Sequence, residues 1–81
     1  MNKATKKRLE EIAEQMKNLK DEIDTMSEKE NRIYNEMPKG FQQSTKGWNS
    51  FHNINNLENA VDGLGEALEN IEEILTRMND E

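Results

Sequence analysis

The residues that could perform chemistry in this 81-residue chain lack the neighbours that such chemistry needs. His52 is the only histidine, and the positions three and four residues away hold Trp48, Asn49, Asn55 and Asn56. A metal site on a helix would need a carboxylate or a second histidine there. Cysteine is absent, so thiolate ligands and disulfides are excluded. We therefore predict no metal and no cofactor, and we expect His52 to form hydrogen bonds near a turn.

The sequence contains neither an activated nucleophile nor a phosphate-binding loop. Ser44 has no base placed to activate it, and it is better explained as the N-cap of a helix. The segment Gly63-Leu64-Gly65 lacks the third glycine, the lysine and the preceding strand of a phosphate loop. We therefore predict that the protein is not an enzyme.

Carboxylates are numerous, with 17 acidic residues against 11 basic ones and a net charge of −6. General acid–base catalysis needs a carboxyl group in an apolar site, whereas these acids are predicted to face water. A solvated face is one interpretation, and an acidic surface that imitates nucleic acid or binds a basic protein is the other. The net charge makes direct binding to nucleic acid unfavourable.

Apolar residues recur at alternating spacings of three and four on both sides of Pro38, which is the a/d heptad pattern of a coiled coil. The first arm carries it at Leu9, Ile12, Met16, Leu19, Ile23, Met26, Ile33 and Met37, with Glu30 as the polar occupant. The second arm carries it at Ile54, Leu57, Val61, Leu64, Leu68, Ile71, Leu75 and Met78. The g positions of the second arm are also apolar (Ala60, Ala67 and Ile74), which predicts that a further surface covers them.

The two arms predict an all-α fold, an antiparallel two-helix coiled-coil hairpin in a single domain over residues 1–81. Pro38 ends the first helix, because it lacks an amide hydrogen and disfavours helix in the preceding residue. The helices are expected over about 4–37 and 45–79, with a loop over 38–44. A loop centred near Gly40 would pair Ile23 with Leu57, and a register shifted by one heptad is the alternative. The start of the second helix is the weakest point, because Gly47 and several asparagines favour helix poorly, so that ordering could begin only near Asn53.

Charge favours the antiparallel arrangement. Residues 1–40 are neutral overall, and residues 41–81 carry the whole net charge. The first helix begins with a basic cluster and the second ends with an acidic one, so each opposes its own helix dipole. An antiparallel hairpin places the two clusters side by side. Two helices alone bury little apolar surface, and we therefore expect a homodimer of hairpins that forms a four-helix bundle.

The predicted partner-binding residues fall into two groups. All four aromatic residues lie between positions 34 and 51, and we expect them to close the tip of the hairpin or, alternatively, to leave Trp48 above all exposed as an anchor for a partner. They are Tyr34, Phe41, Trp48 and Phe51. The second group is an acidic strip on the second helix, at positions away from the seam: Glu58, Asp62, Glu66, Glu69 and Glu73.

Three segments together resemble a group of small acidic proteins of phages, prophages and Firmicutes genomes. They are Tyr34-Asn35-Glu36-Met37-Pro38, Phe41-Gln42-Gln43-Ser44 and the heptads that begin at Asn56-Leu57-Glu58-Asn59-Ala60. The chain departs from their pattern at Phe41, which replaces a leucine, at Glu36 and at the two glycines of the second helix. The resemblance implies a mobile-element origin and a non-catalytic role.

These observations lead to two hypotheses about function. The first is a non-enzymatic, small acidic protein-binding module, such as a phage or mobile-element inhibitor or decoy that acts on a basic surface of a host protein. The second is a self-associating structural or scaffold coiled coil without a separate target. Since the sequence has neither a transmembrane segment nor the apolar core of a signal peptide, we expect a cytoplasmic protein that does not bind membranes.

Overall fold

Two long helices and a single helical turn between them make up the part of the chain that the structure describes. This computed structural model describes residues 1–80, and their side chains as far as residue 79. Helix α1 spans Lys3–Glu36, α2 spans Lys39–Gln42 and α3 spans Thr45–Asp80. No strand occurs in residues 1–80. The molecule is 59 Å long and only 15 × 14 Å in cross-section, the shape of a helical hairpin.

Local side-chain chemistry accounts for the ends of α1. Its N-cap is Asn2, whose Oδ1 accepts a hydrogen bond from the Thr5 amide at 2.8 Å. The helix ends at Glu36, one residue before the predicted end, because Met37 is extended (φ −68°, ψ 136°). Extended backbone is what the ring of Pro38 imposes on the residue before it.

The connection between the long helices is folded rather than an open loop. Gln42 donates its side-chain amide to the Tyr34 carbonyl oxygen at 2.9 Å, which fastens α2 to the last turn of α1. Ser44 accepts a hydrogen bond from the Gly47 amide at 3.4 Å and donates its hydroxyl to the Phe41 carbonyl, so Ser44 caps α3 as predicted.

Helix α3 begins at Thr45, ahead of the asparagine-rich stretch that made its start uncertain. Gly47 is buried there, and a Cβ atom at this position would overlap the carbonyl oxygens of Phe41 and Gln42. The glycine thus permits a close contact between α2 and α3, and this contact outweighs its poor helix propensity.

Contacts across the hairpin show that α1 and α3 run antiparallel. Ser50 donates its hydroxyl to Glu30 near the turn, Gly65 lies beside the Lys20 side chain, and Lys17 pairs with Glu72 at 3.5 Å further along. The Glu30–Ser50 contact has the register in which Ile23 pairs with Leu57. The two lysine contacts involve residues about one helical turn or more further along α3, because the long lysine side chains reach along the helix axis, so the pairing of Ile23 with Leu57 stays a prediction.

The seam is the set of residues on each long helix that packs against the other helix. In α3 it lies on the predicted heptad positions. Its least exposed residues follow one another at spacings of three and four: Gly47, Ser50, Ile54, Leu57, Val61, Leu64, Leu68, Ile71, Leu75 and Met78. Of these, Gly47, Ser50, Ile54 and Leu68 are buried and the others are half-buried. A single layer of contacts between two helices cannot bury more, so the hairpin has a thin core.

The seam of α1 differs from the predicted one. One predicted row, with Leu9, Met16, Ile23, Glu30 and Met37, does face α3. The other half of the seam is formed by Ala13, Lys20, Ser27 and Tyr34, each one residue beyond a predicted position. Ala13 and Ser27 are buried, and the Lys20 side chain lies against Gly65. The small side chains of Ala13 and Ser27 let the helices approach at these two positions, whereas a Cβ atom at Gly65 would lie 3.6 Å from the Lys20 side chain, an ordinary van der Waals contact.

The predicted row that α1 does not use is left on the surface. Leu19, Met26 and Ile33 are 51%, 56% and 45% exposed, and Ile12 is half-buried. The expectation that these residues lie in the core of the hairpin is therefore wrong. Helix α1 is rotated so that they flank the seam instead of filling it.

Candidate protein-binding surfaces

The aromatic residues surround the turn but do not form one closed cluster. Tyr34 of α1 is half-buried, and its ring centroid lies 6.1 Å from that of Phe51 on α3. His52 packs between Phe51 and Trp48, with ring centroids 5.6 and 4.0 Å away. Phe41 lies apart from these rings and lines a shallow groove with Ile33 and Lys46. The structure thus joins three of the four predicted aromatic residues and separates the fourth.

Most of the aromatic surface at the tip is open to solvent. Trp48 is 61% exposed, and Phe41 and Phe51 are 58% and 48% exposed. Tyr34 alone among the four is half-buried. A large side chain that stays exposed on one face is a common anchor in protein interfaces. Trp48 is the most exposed of the four, with the ring of His52 against it, and its role as an anchor stays a prediction.

The predicted acidic strip continues along α3 on the same side as Trp48 and Phe51. Trp48, Asp62 and Glu69 share one heptad position, and Phe51 and Glu58 share the neighbouring one. All five strip residues are exposed: Glu58, Asp62, Glu66, Glu69 and Glu73. We refer to these acids, with Trp48 and Phe51, as the acidic–aromatic face.

The charges of this strip are mostly uncompensated. Glu73 pairs with Arg77 one turn away, at 3.6 Å between two exposed side chains. Among the described residues, the other four acids of the strip form no ion pair. The strip therefore presents a negative potential over several helical turns, which attracts basic surfaces and speeds their approach.

A second surface, which the sequence did not indicate as such, lies on the other flank of the hairpin. The ion pair of Lys17 with Glu72 marks one flank of the seam, and heptad geometry places the exposed row of α1 on the opposite flank. Ile33 of that row lines a groove with Lys46, Asn49 and Asn53 of α3. These α3 residues begin the two heptad rows that continue into Ala60, Gly63 and Ala67.

We call this surface the apolar face and define it by eight residues. They are Ile12, Leu19, Met26 and Ile33 of α1, and Ala60, Gly63, Ala67 and Ile74 of α3. Ile12 and Ile74 are half-buried and the other six are exposed. The sequence signal for the α3 half was the apolar g row. The α1 half was missed because its large residues also fit the core of a coiled coil.

The described part of the chain contains no group of three or more histidine, cysteine or acidic side chains that could hold a metal ion. His52 contacts aromatic rings instead of the hydrogen-bond partners that we expected. Within residues 1–80, no helix has the length and apolar character needed to cross a membrane.

Comparison of the chain with protein-family models, with curated proteins and with solved structures gave no match.

Proposed function

We propose that the protein is a non-enzymatic protein-binding module that uses its acidic–aromatic face to bind a basic surface of another protein. The observation that carries the proposal is the segregation of charge on α3. All six acids between Thr45 and Asn79 lie at heptad positions e, b and f, and none lies at c or g. The exposed Trp48 stands at one end of this charged surface.

The two parts of the face would contribute differently to binding. Charge attracts the partner over distance and raises the association rate, but exposed ion pairs add little to affinity. Trp48 supplies apolar area that becomes buried on contact, which slows dissociation. The resemblance to small phage and prophage proteins supports the further proposal that the partner is a host protein that is inhibited or sequestered.

Affinity capture with matched baits tests this function. Wild-type protein is compared with Trp48→Ala, with the double variant Glu66→Lys/Glu73→Lys, and with the control Glu14→Lys/Glu28→Lys. The control makes the same change in charge on exposed positions of α1. A specific partner should be retained by the wild type and the control and lost from both variants of the face.

Surface plasmon resonance with the captured partner separates the two contributions. We expect the Glu66→Lys/Glu73→Lys variant to slow association, most strongly at low salt, and Trp48→Ala to speed dissociation at every salt concentration. If the control loses the partner as fully as the face variants do, while all baits remain helical, only general charge matters and the proposal is wrong.

A self-associating structural protein is the second candidate function, and the uncovered apolar face favours it. This function would need no separate target, so capture would return only further copies of the chain.

A further inference from the structure

The apolar face exposes more large apolar side chains than a monomeric hairpin is expected to expose. Leu19, Met26 and Ile33 form a ridge of large side chains along α1, each about half exposed. A row of large apolar side chains on one face of a helix marks an interaction surface more often than side chains that are exposed singly do. The face is separate from the acidic–aromatic face, so a proposal about it succeeds or fails independently of the proposed function.

The two helices contribute surfaces of opposite shape to this face. The α1 side consists of large side chains, whereas the α3 side has Ala60, Gly63 and Ala67 at its centre. A Cβ added at Gly63 would meet nothing within 4 Å, so the space above this glycine is open. A ridge beside a row of small residues is self-complementary, because the ridge of one copy fits the small row of another.

The distribution of charge on α3 also favours pairing of this face with a second copy of the chain. The two rows of α3 that border the face contain no acid between Lys46 and Arg77, and asparagines occupy most of their remaining positions. All the repulsive charge of α3 thus lies on the side that a second copy would leave free. A second copy of this acidic chain can approach the face without placing α3 acids against each other.

We propose that a second copy of the chain covers the apolar face, with α1 of each copy packed on α3 of the other. In both contacts the large side chains of α1 then pack on the small residues of α3. The result is a four-helix bundle in which every neighbouring pair of helices is antiparallel. The two-fold axis runs along the length of the hairpins, so both turns lie at the same end of the bundle.

This axis fixes which residues meet, because a rotation about the long direction keeps each residue at its own height. The end of the Lys20 side chain lies beside Gly65 within one hairpin, so Leu19 is level with the row of small residues that contains Ala60, Gly63 and Ala67. Leu19 of one copy would therefore pack on this row of the other.

The apolar face takes up about half of the length of the hairpin. Ile12 and Ile33 lie 21 residues apart on α1, which is about 32 Å at 1.5 Å per residue, and the hairpin is 59 Å long. The acidic–aromatic face would stay on the outside, one copy on each side of the bundle.

Sedimentation equilibrium of charge-insertion variants tests the interface. Leu19→Glu and Ala67→Glu place a carboxylate in the face, and Asn31→Glu and Asn59→Glu add the same charge at exposed positions elsewhere. We expect the wild type and both controls to be dimers. We expect the two face variants to raise the dimer Kd by at least about 100-fold, because a buried unpaired carboxylate is costly.

Circular dichroism on the same samples shows whether each variant is still helical. Ala67→Glu provides the second test if Leu19→Glu loses its helicity. A fully helical wild type that is monomeric at tens of micromolar would overturn the proposal. Face variants that dimerise as tightly as the controls would overturn it as well.

Disulfide trapping tests the arrangement of the two copies, since the natural chain has no cysteine. Glu22 lies on the exposed row beside Leu19 and Met26, and Gly63 lies in the small row that the proposal places against them. A mixture of Glu22→Cys and Gly63→Cys proteins should form the mixed disulfide faster than either variant forms its own. A faster disulfide in Gly63→Cys alone would place α3 against α3 and overturn the arrangement.

Discussion

Replacing Ser50 by alanine would remove a hydrogen bond that joins the two long helices inside their seam. The Ser50 hydroxyl donates to Glu30 Oε1 at 2.6 Å, and Ser50 is only 4% exposed. Glu30 occupies a core position of the heptad, where a carboxylate without a partner weakens the packing. The short distance and the charged acceptor mark this as one of the stronger side-chain interactions in the hairpin.

The structure sets the magnitude of this effect. A hydrogen bond to a charged group contributes about 1.5–3 kcal/mol when it is buried. Glu30 is half-buried, so water partly replaces the lost hydroxyl, and we expect Ser50→Ala to lower the free energy of unfolding by about 1–2 kcal/mol. The double variant Glu30→Leu/Ser50→Ala should be as stable as the wild type or more stable, because an apolar pair replaces a polar one.

Urea unfolding followed by circular dichroism, at one fixed protein concentration, measures all four members of this double-mutant cycle. Ser27→Ala is the matched control, since Ser27 is equally buried in α1 and has no hydrogen bond across the hairpin. We expect the control to change stability by less than about 0.5 kcal/mol. A coupling energy between Glu30 and Ser50 close to zero would refute the reasoning.

Two further substitutions test the packing of α3. Gly47→Ala should destabilise the protein strongly, because its methyl group meets backbone carbonyls, whereas Gly65→Ala should stabilise it by about 0.5–1 kcal/mol; thermal melts of both variants check this. Leu64→Asp should abolish folding, because it places an unpaired carboxylate in the seam, and the exposed Glu66→Lys should not. Equal loss of helical circular dichroism in the last two variants would show that the heptad register of α3 is wrong.

The heptad pattern of α3 predicted its seam because only one pair of its rows is rich in large apolar residues. In α1 the same rule failed for half of the seam. Leu19, Met26 and Ile33 are the more hydrophobic row, but the neighbouring row with Ala13 and Ser27 is the one that packs on α3. A single chain cannot show which row meets which partner, because both rows are suited to burial when a third and a fourth helix are present.

The features of the turn that depend on adjacent residues could be predicted from the sequence. The features that depend on tertiary contacts could not. Pro38 and Ser44 mark the end of α1 and the cap of α3, and both signals lie in adjacent residues. The helical turn α2 depends on Gln42, which reaches back eight residues to the Tyr34 carbonyl. Gly47 counted against helix by propensity, yet the contact of α3 with α2 requires it.

One physical explanation accounts both for the exposed apolar row of α1 and for the additional apolar g row of α3. A sequence that must bury two flanks needs large residues on both, and a hairpin offers only one internal seam. In the proposed dimer, Leu19, Met26 and Ile33 form the half of the core that a second copy completes. On this view the predicted a/d row of α1 is a core row of the bundle, and the hairpin by itself shows only its first layer. The charge-insertion variants at Leu19 and Ala67 decide the matter, because each changes a residue that the isolated hairpin leaves exposed.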